Sequence, residues 1–196
     1  MSKRTVLITG SSRGIGAAAA RRFAQEGWGV GLHCHTDLAR AQTLAQELRA
    51  LGGQVGLYPG DVAERAQVDQ VMEGFLQDFG HLDVLVCNAG LARQELFTDI
   101  SLDSWRQMLG VNLDGVFHCC QAALPHMISR KAGKIITLSS MWGQVGASCE
   151  AEMCIRDRSV SGRSRWRMTG SLPGNIPWKR KTTFPLWHFC RGTGCS

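Results

Sequence analysis

Thr5-Val6-Leu7-Ile8-Thr9-Gly10-Ser11-Ser12-Arg13-Gly14-Ile15-Gly16 is the stretch on which the fold turns. Thr5 to Ile8 form a short apolar, β-branched run, the pattern of a buried strand. Ala17 to Glu26 follow as an Ala-rich helix. Between the two, Gly10, Gly14 and Gly16 have the spacing GxxxGxG. A strand that passes through such a loop into a helix brings backbone N–H groups and a helix N-terminus against a pyrophosphate. Side chains at the glycine positions would hold the phosphates away. A glycine triplet alone reads equally well as a plain strand-to-helix turn, so its weight comes from the elements around it.

Those elements alternate. Gly29 to Cys34 is a second apolar run. Leu38 to Leu51 places Leu38, Ala41, Leu44, Ala45, Leu48 and Leu51 at helical spacing, and Gly52-Gly53 stops it. Gln54 to Tyr58 reads as a third strand, and Ala63 to Phe79 as a helix with Val68, Val71, Met72 and Phe75 on one face. Val84 to Cys87 is a fourth strand, bounded by Asp83 and Asn88. Ser101 caps a further helix, Asn112 to Arg130 is a long one, and Lys134 to Leu138 is a fifth strand. Strands alternating with helices make βαβ units with right-handed crossovers. The fold expected is α/β, a doubly wound parallel sheet of the Rossmann kind, C-terminally incomplete.

Five short motifs in order carry a family resemblance: Thr9 to Gly16, Gly60-Asp61-Val62, Asn88-Ala89-Gly90, Val111-Asn112 and Leu138-Ser139-Ser140. Over about residues 3–150 their order and separations resemble the short-chain dehydrogenase/reductase family, and within it most of all the bacterial 3-oxoacyl-acyl-carrier-protein reductases. Ser139 to Gly143 and Gly146 to Glu150 are also similar to the 5-aminopentanone reductases of the same family. The resemblance implies an NADP-dependent oxidoreductase that reduces a ketone, such as a 3-oxoacyl thioester of fatty acid biosynthesis. It implies a small-molecule or acyl-carrier-linked substrate, a cytoplasmic enzyme and a homotetramer.

The residues themselves favour NADP over NAD. NAD sites of this type place an acid at the end of the second strand. Here that position is Cys34-His35-Thr36, with no acid before Asp37. Arg13 lies inside the glycine loop, where a guanidinium can reach a 2′-phosphate. Together with what the resemblance implies, the cofactor-binding set expected is Gly10, Ser12, Arg13, Gly14, Ile15, Gly16, Asp61, Val62, Asn88, Ala89 and Gly90. The resemblance implies that Asp61 meets the adenine edge with Val62 beside it, and that Asn88 to Gly90 line the cleft. Standing alone, Asn88-Ala89-Gly90 would be an ordinary Asx turn.

Family chemistry asks for hydride transfer with a proton donor and stabilisation of the carbonyl oxygen. The resemblance assigns Ser140 to polarising the carbonyl and Asn112 to ordering a relay water. It then requires a tyrosine 13 residues after the serine and a lysine four residues later. Met153 and Asp157 stand at those places, and the only tyrosine of the chain is Tyr58. Methionine has no transferable proton, and an aspartate carries the wrong charge beside a phosphate. Reductase and non-catalytic dinucleotide-binding fragment therefore both stand as readings.

Composition breaks at the same point. Residues 1–148 carry 13 Lys/Arg against 13 Asp/Glu, while residues 149–196 carry nine against three, so the whole net charge of +6 lies in the last 48 residues. The domains expected are a dinucleotide-binding Rossmann domain over 1–150 and a basic tail over 151–196. Met153 to Arg158 resembles a translated sequencing-adapter string, and the tail shows no strand or helix periodicity, as an out-of-frame reading would. The rival reading is a genuine tail in which Arg163 to Arg167 and Trp178 to Lys181 interleave cations and aromatics as nucleic-acid contacts do. Charge runs are more often solvated, so nucleic acid is not the favoured partner. No apolar run approaches the ~20 residues of a membrane span, and no charged-then-apolar leader opens the chain. The cysteine spacings match no zinc pattern, so no metal is expected.

Overall fold

The computed structural model describes residues 3–140. Its elements are β1 (Thr5–Ile8), α1 (Gly14–Gln25), β2 (Gly29–Cys34), α2 (Leu38–Ala50), β3 (Val55–Pro59), α3 (Arg65–Phe79), β4 (Val84–Cys87), α4 (Leu102–Leu109), α5 (Gly115–Arg130) and β5 (Lys134–Thr137). A single turn of 3-10 helix covers Phe97–Asp99, and a π-helical segment, Gly110–Asp114, joins α4 to α5. All strand pairs are parallel and the order is β3-β2-β1-β4-β5. The chain winds outward from β1 through β2 to β3, then returns to place β4 on the other side of β1. That reversal opens a crevice at the carboxyl ends of β1 and β4, where doubly wound sheets bind ligands.

Alternation along the strands supplies one core on each face of the sheet. Val6 and Ile8 point to one face with Val30, Leu32, Val84 and Val86, where Ala17 and Ala20 of α1 and Leu44, Ala45 and Leu48 of α2 cover them. Leu7 and Leu85 point to the other face, under Val68, Val71, Met72 and Phe75 of α3 and Cys119, Ala123 and Met127 of α5. The four α3 residues are those the periodicity picks out as its apolar face. Phe75 is wholly buried, stacked on Phe79 at 4.7 Å and edge-on to Tyr58 at 5.7 Å. Truncating it to alanine removes roughly 3–5 kcal/mol.

Two boundaries differ from expectation for identifiable reasons. Helix α1 begins at Gly14, three residues before Ala17, because the chain turns into the helix there behind an extended Arg13 (φ −154°, ψ 175°), with Gly14 making the entry at φ +57°. The long helix over Asn112 to Arg130 does not start at Asn112. A continuous helical path runs on from α4, and Asn112 sits within its π segment. An extra residue in a helical turn is a device found at functional sites.

Among the described residues, strand β5 lies at the edge of the sheet and is mostly exposed, with Ile136 45% accessible. Among the described residues no helix is long and apolar enough to cross a membrane. The boundary at residue 150, the tail over 151–196, and Met153 and Asp157 all lie outside the described residues.

Candidate functional site

The glycine loop is packed on one side and open on the other. Gly10 and Gly14 have φ of +63° and +57°, a region that glycine enters freely and other residues do not. A Cβ on Gly10 would lie 2.7 Å from the Ala89 Cα, and one on Gly16 would lie 2.6 Å from the Gly10 carbonyl oxygen. A Cβ on Gly14 would meet nothing within 4 Å. The first and third glycines thus let the loop close on the end of β4, while the second faces open space.

The residues after β4 hold the loop shut. The Asn88 side-chain amide donates to the carbonyls of Thr9 and Gly10, both at 2.9 Å. In return, the backbone N–H groups of Asn88 and Ala89 donate to Thr9 Oγ1, each at 3.0 Å. Asn88 therefore reaches across the sheet instead of closing its own Asx turn. Thr9, quoted within the motif but given no role on sequence grounds, is the hydroxyl that makes the clamp reciprocal.

Strand β2 adds a second anchorage that sequence reasoning missed. The Ser11 N–H donates to the His33 carbonyl at 2.8 Å, and the His33 N–H donates to Ser11 Oγ at 2.9 Å. The Gly10 N–H donates to the ring nitrogen Nδ1 of His33 at 3.2 Å. Burial pulls the His33 pKa down to about 4, against an opposing hydrogen bond with the Gly60 backbone. The ring is consequently neutral at pH 7. A histidine inside an apolar strand was the available signal, but its spacing marks only a buried strand residue.

The end of α1 that meets the loop suits an anion. Its first turn holds no acidic residue and has no side-chain cap, and first-turn amides have no intrahelical acceptor. By contrast, Asp37 caps α2, accepting from the Arg40 N–H at 3.3 Å, with the Arg40 guanidinium 3.4 Å away. The first acid after β2 is thus engaged in a cap and an ion pair. Arg13 and Ile15 are exposed at the loop, Ile15 to 70%, and Ser12 just before them is half-buried. Asp61 Oδ1 accepts from the Ala63 N–H at 2.9 Å, while Oδ2 lies 3.8 Å from His35 Nε2. Val62 is buried against Gly115, and Gly90 is exposed.

Asn112 is 4% exposed and pins the segment after Asn88-Ala89-Gly90. Its Oδ1 accepts from the Leu91 N–H at 2.8 Å and its Nδ2 donates to the Leu91 carbonyl at 2.9 Å. Ser140 is half-buried, three residues beyond β5. Tyr58 lies in β3, its hydroxyl donating to Asp78 of α3 at 2.7 Å. Burial and that hydrogen bond raise its pKa, so the phenol is held protonated in a structural pair. Glycine loop, Asn88 and Asn112 thus surround one end of the sheet, and the donor set there — open amides, a cation, the first acid after β2 engaged in its own cap — fits a phosphorylated dinucleotide.

Comparison with known proteins points the same way. The family model described as short chain dehydrogenase matches residues 4–152. The chain is 34% identical over 162 residues to a 3-oxoacyl-acyl-carrier-protein reductase of Staphylococcus aureus, covering 83% of this chain and 66% of the relative. The corresponding reductase of Thermotoga maritima is 34% identical, with 83% of this chain and 65% of the relative covered. The chain therefore spans a little under two thirds of the length of these relatives. Among solved structures it is similar to a gluconate 5-dehydrogenase from Burkholderia cenocepacia in complex with NADP and tartrate. That similarity has a TM-score of 0.75 and 36% identity, over 82% of this chain and 62% of the other.

Proposed function

This chain belongs to the short-chain dehydrogenase family, and on that premise we propose that it is the dinucleotide-binding part of an NADP-dependent oxidoreductase that reduces a ketone. The observation that carries the reading is the glycine loop clamped by Asn88, with the open first turn of α1 beside it. The engagement of Asp37 as a helix cap and the exposure of Arg13 support NADP over NAD. So does the NADP held by the similar gluconate 5-dehydrogenase. The 3-oxoacyl-acyl-carrier-protein reductases among the relatives favour a 3-oxoacyl thioester as substrate.

When bound, the cofactor supplies a hydride for a carbonyl carbon. The chain's own residues do the rest. Asn88 and Thr9 fix the loop so that the amides of α1 meet the phosphates. Gly14, free of any side chain, lets backbone approach them, and Arg13 offers a fork of donors to a 2′-phosphate. Asp61 and Val62 border the adenine, and Ala89 and Gly90 line the cofactor cleft. Asn112 holds the Leu91 backbone, and the Ser140 hydroxyl polarises the carbonyl.

A second reading, binding without turnover, is favoured by Met153 and Asp157 at the places of the family's tyrosine and lysine. Following NADPH absorbance with an acetoacetyl thioester, beside a binding titration, separates the two. Consumption above the protein-free rate supports the reductase. Binding with no consumption supports the second reading, and no binding removes both. For the whole protein we place the activity in the cytoplasm, on a small-molecule or acyl-carrier-linked substrate, and in a homotetramer. Exposed Leu113 and Phe117, 41% and 58% accessible, offer apolar surface for self-association.

A further inference from the structure

We propose that His33 is a positioning residue of the dinucleotide cradle, a neutral imidazole that holds the turn after β1 and the turn after β3 in one arrangement. The proposal rests on the cofactor reading above and adds to it a residue outside the five sequence motifs. Strand β2 lies between β1 and β3, so a side chain near its carboxyl end can reach both turns. His33 does. Its Nδ1 accepts the Gly10 N–H at 3.2 Å, it lines a small void together with Val62 of the second turn, and the adjacent Cys34 carbonyl accepts the Gly60 N–H at 2.9 Å. Gly10 opens the phosphate loop, and Gly60 opens the turn that carries Asp61 and Val62. The Ser11 pairings with the His33 backbone leave the ring little freedom to move away.

The geometry demands one protonation state. An Nδ1 that accepts from Gly10 carries no proton, so the single ring proton resides on Nε2. Protonating Nδ1 would set an N–H against the Gly10 N–H, donor against donor. Solvent offers little relief, since His33 is 2% exposed and the void it shares with Thr9, Val62 and Cys119 measures about 10 Å³. Such a volume admits roughly one water. The ionisable groups facing the ring are His35 just after β2, Asp61 after β3 and Cys119 on α5. His35 disfavours the charged ring, Asp61 favours it, and burial outweighs both. Acid therefore opens the loop by charging His33, and Gly10 gives up its left-handed conformation.

Amide hydrogen exchange on the full chain, with NADP titration at pH 7.5, tests this for the wild type and for His33→Leu and His33→Asn. In the wild type the opening constant of the Gly10 amide rises up to about tenfold per pH unit on acidification from pH 6.5 to 4.5. His33→Leu, which removes the acceptor but keeps the bulk, opens Gly10 and weakens NADP binding about tenfold. His33→Asn supplies a carbonyl in place of Nδ1. It restores protection and binding, and abolishes the acid dependence. Wild-type protection and affinity in a folded His33→Leu variant overturn the proposal. Should that variant not fold, an acid dependence retained in His33→Asn overturns it instead. A wild type that binds no dinucleotide, yet loses Gly10 protection in His33→Leu, defeats the cofactor reading while the loop-positioning role stands.

Discussion

The Asn88 side-chain amide reaches the Gly10 carbonyl at 2.9 Å, joining the ends of β4 and β1 across 78 residues of sequence. Its second donor meets the Thr9 carbonyl at the same distance. Asn88→Ala strips both. Each lost bond is worth roughly 0.5–1.5 kcal/mol, so urea unfolding should show a loss of about 1–3 kcal/mol. Dinucleotide affinity should fall about tenfold or more, because the loop is no longer held against the end of β4. Asn88→Asp, which sets carboxylate oxygens against carbonyls, should be worse than alanine.

Gly16 and Gly14 make a matched pair. Gly16→Ala drives a Cβ to within 2.5 Å of Asn88 Nδ2 and 2.6 Å of the Gly10 oxygen, both part of the clamp. The loop must shift, at roughly 1–3 kcal/mol, and binding is lost. Gly14→Ala meets no atom, and the strain of φ +57° costs about 1–2 kcal/mol. Urea melts on both variants check the order; equal destabilisation would contradict the clamp.

Arg13 bears on cofactor choice. Arg13→Ala should weaken NADP binding about tenfold, the scale of one charge-assisted contact. NAD binding should change little, because NAD has no 2′-phosphate. Parallel titrations decide it, and equal losses for both cofactors would assign Arg13 to the pyrophosphate or to the helix start.

Stability should fall in acid. The pKa of His33 is about 4 in the folded chain against 6.5 for the free residue. Between those values the unfolded chain binds the extra proton, so stability is full above pH 6.5 and drains as pH falls toward 4. The total is about 3 kcal/mol. Below that range Asp83 takes over. Burial disfavours its charge, but the Thr5 N–H, Arg130 and His81 outweigh burial and hold its pKa below the usual carboxylate value. Its contribution is present above the ordinary aspartate range and is lost as pH falls through the depressed folded value. Urea midpoints from pH 8 to 3 check this, and His33→Asn should flatten the upper part of the curve.

Much of this molecule is written in local pattern. Val84 to Cys87 and Gly29 to Cys34 coincide with β4 and β2 because short apolar runs between polar or glycine brackets admit one reading. Val68, Val71, Met72 and Phe75 declare the buried face of α3 by spacing alone. The glycine loop is legible because its steric requirement is local. What hides is whatever depends on partners distant in sequence. Nothing near Asn88 announces that its amide crosses to Thr9 and Gly10, and nothing around His33 distinguishes a loop anchor from a core residue. The π segment at Asn112 is equally silent, since its sequence continues a helical pattern and only the extra residue in the turn reveals it.

The central claim is that this chain captures a phosphorylated nicotinamide dinucleotide at the loop between β1 and α1. Fluorescence titration of the full 196-residue chain with NADPH, alongside NADH, tests it most directly. The account predicts saturable one-site binding, tighter for NADPH. Absence of binding to either dinucleotide at millimolar concentration, in a chain whose circular dichroism shows folded α/β structure, would contradict it.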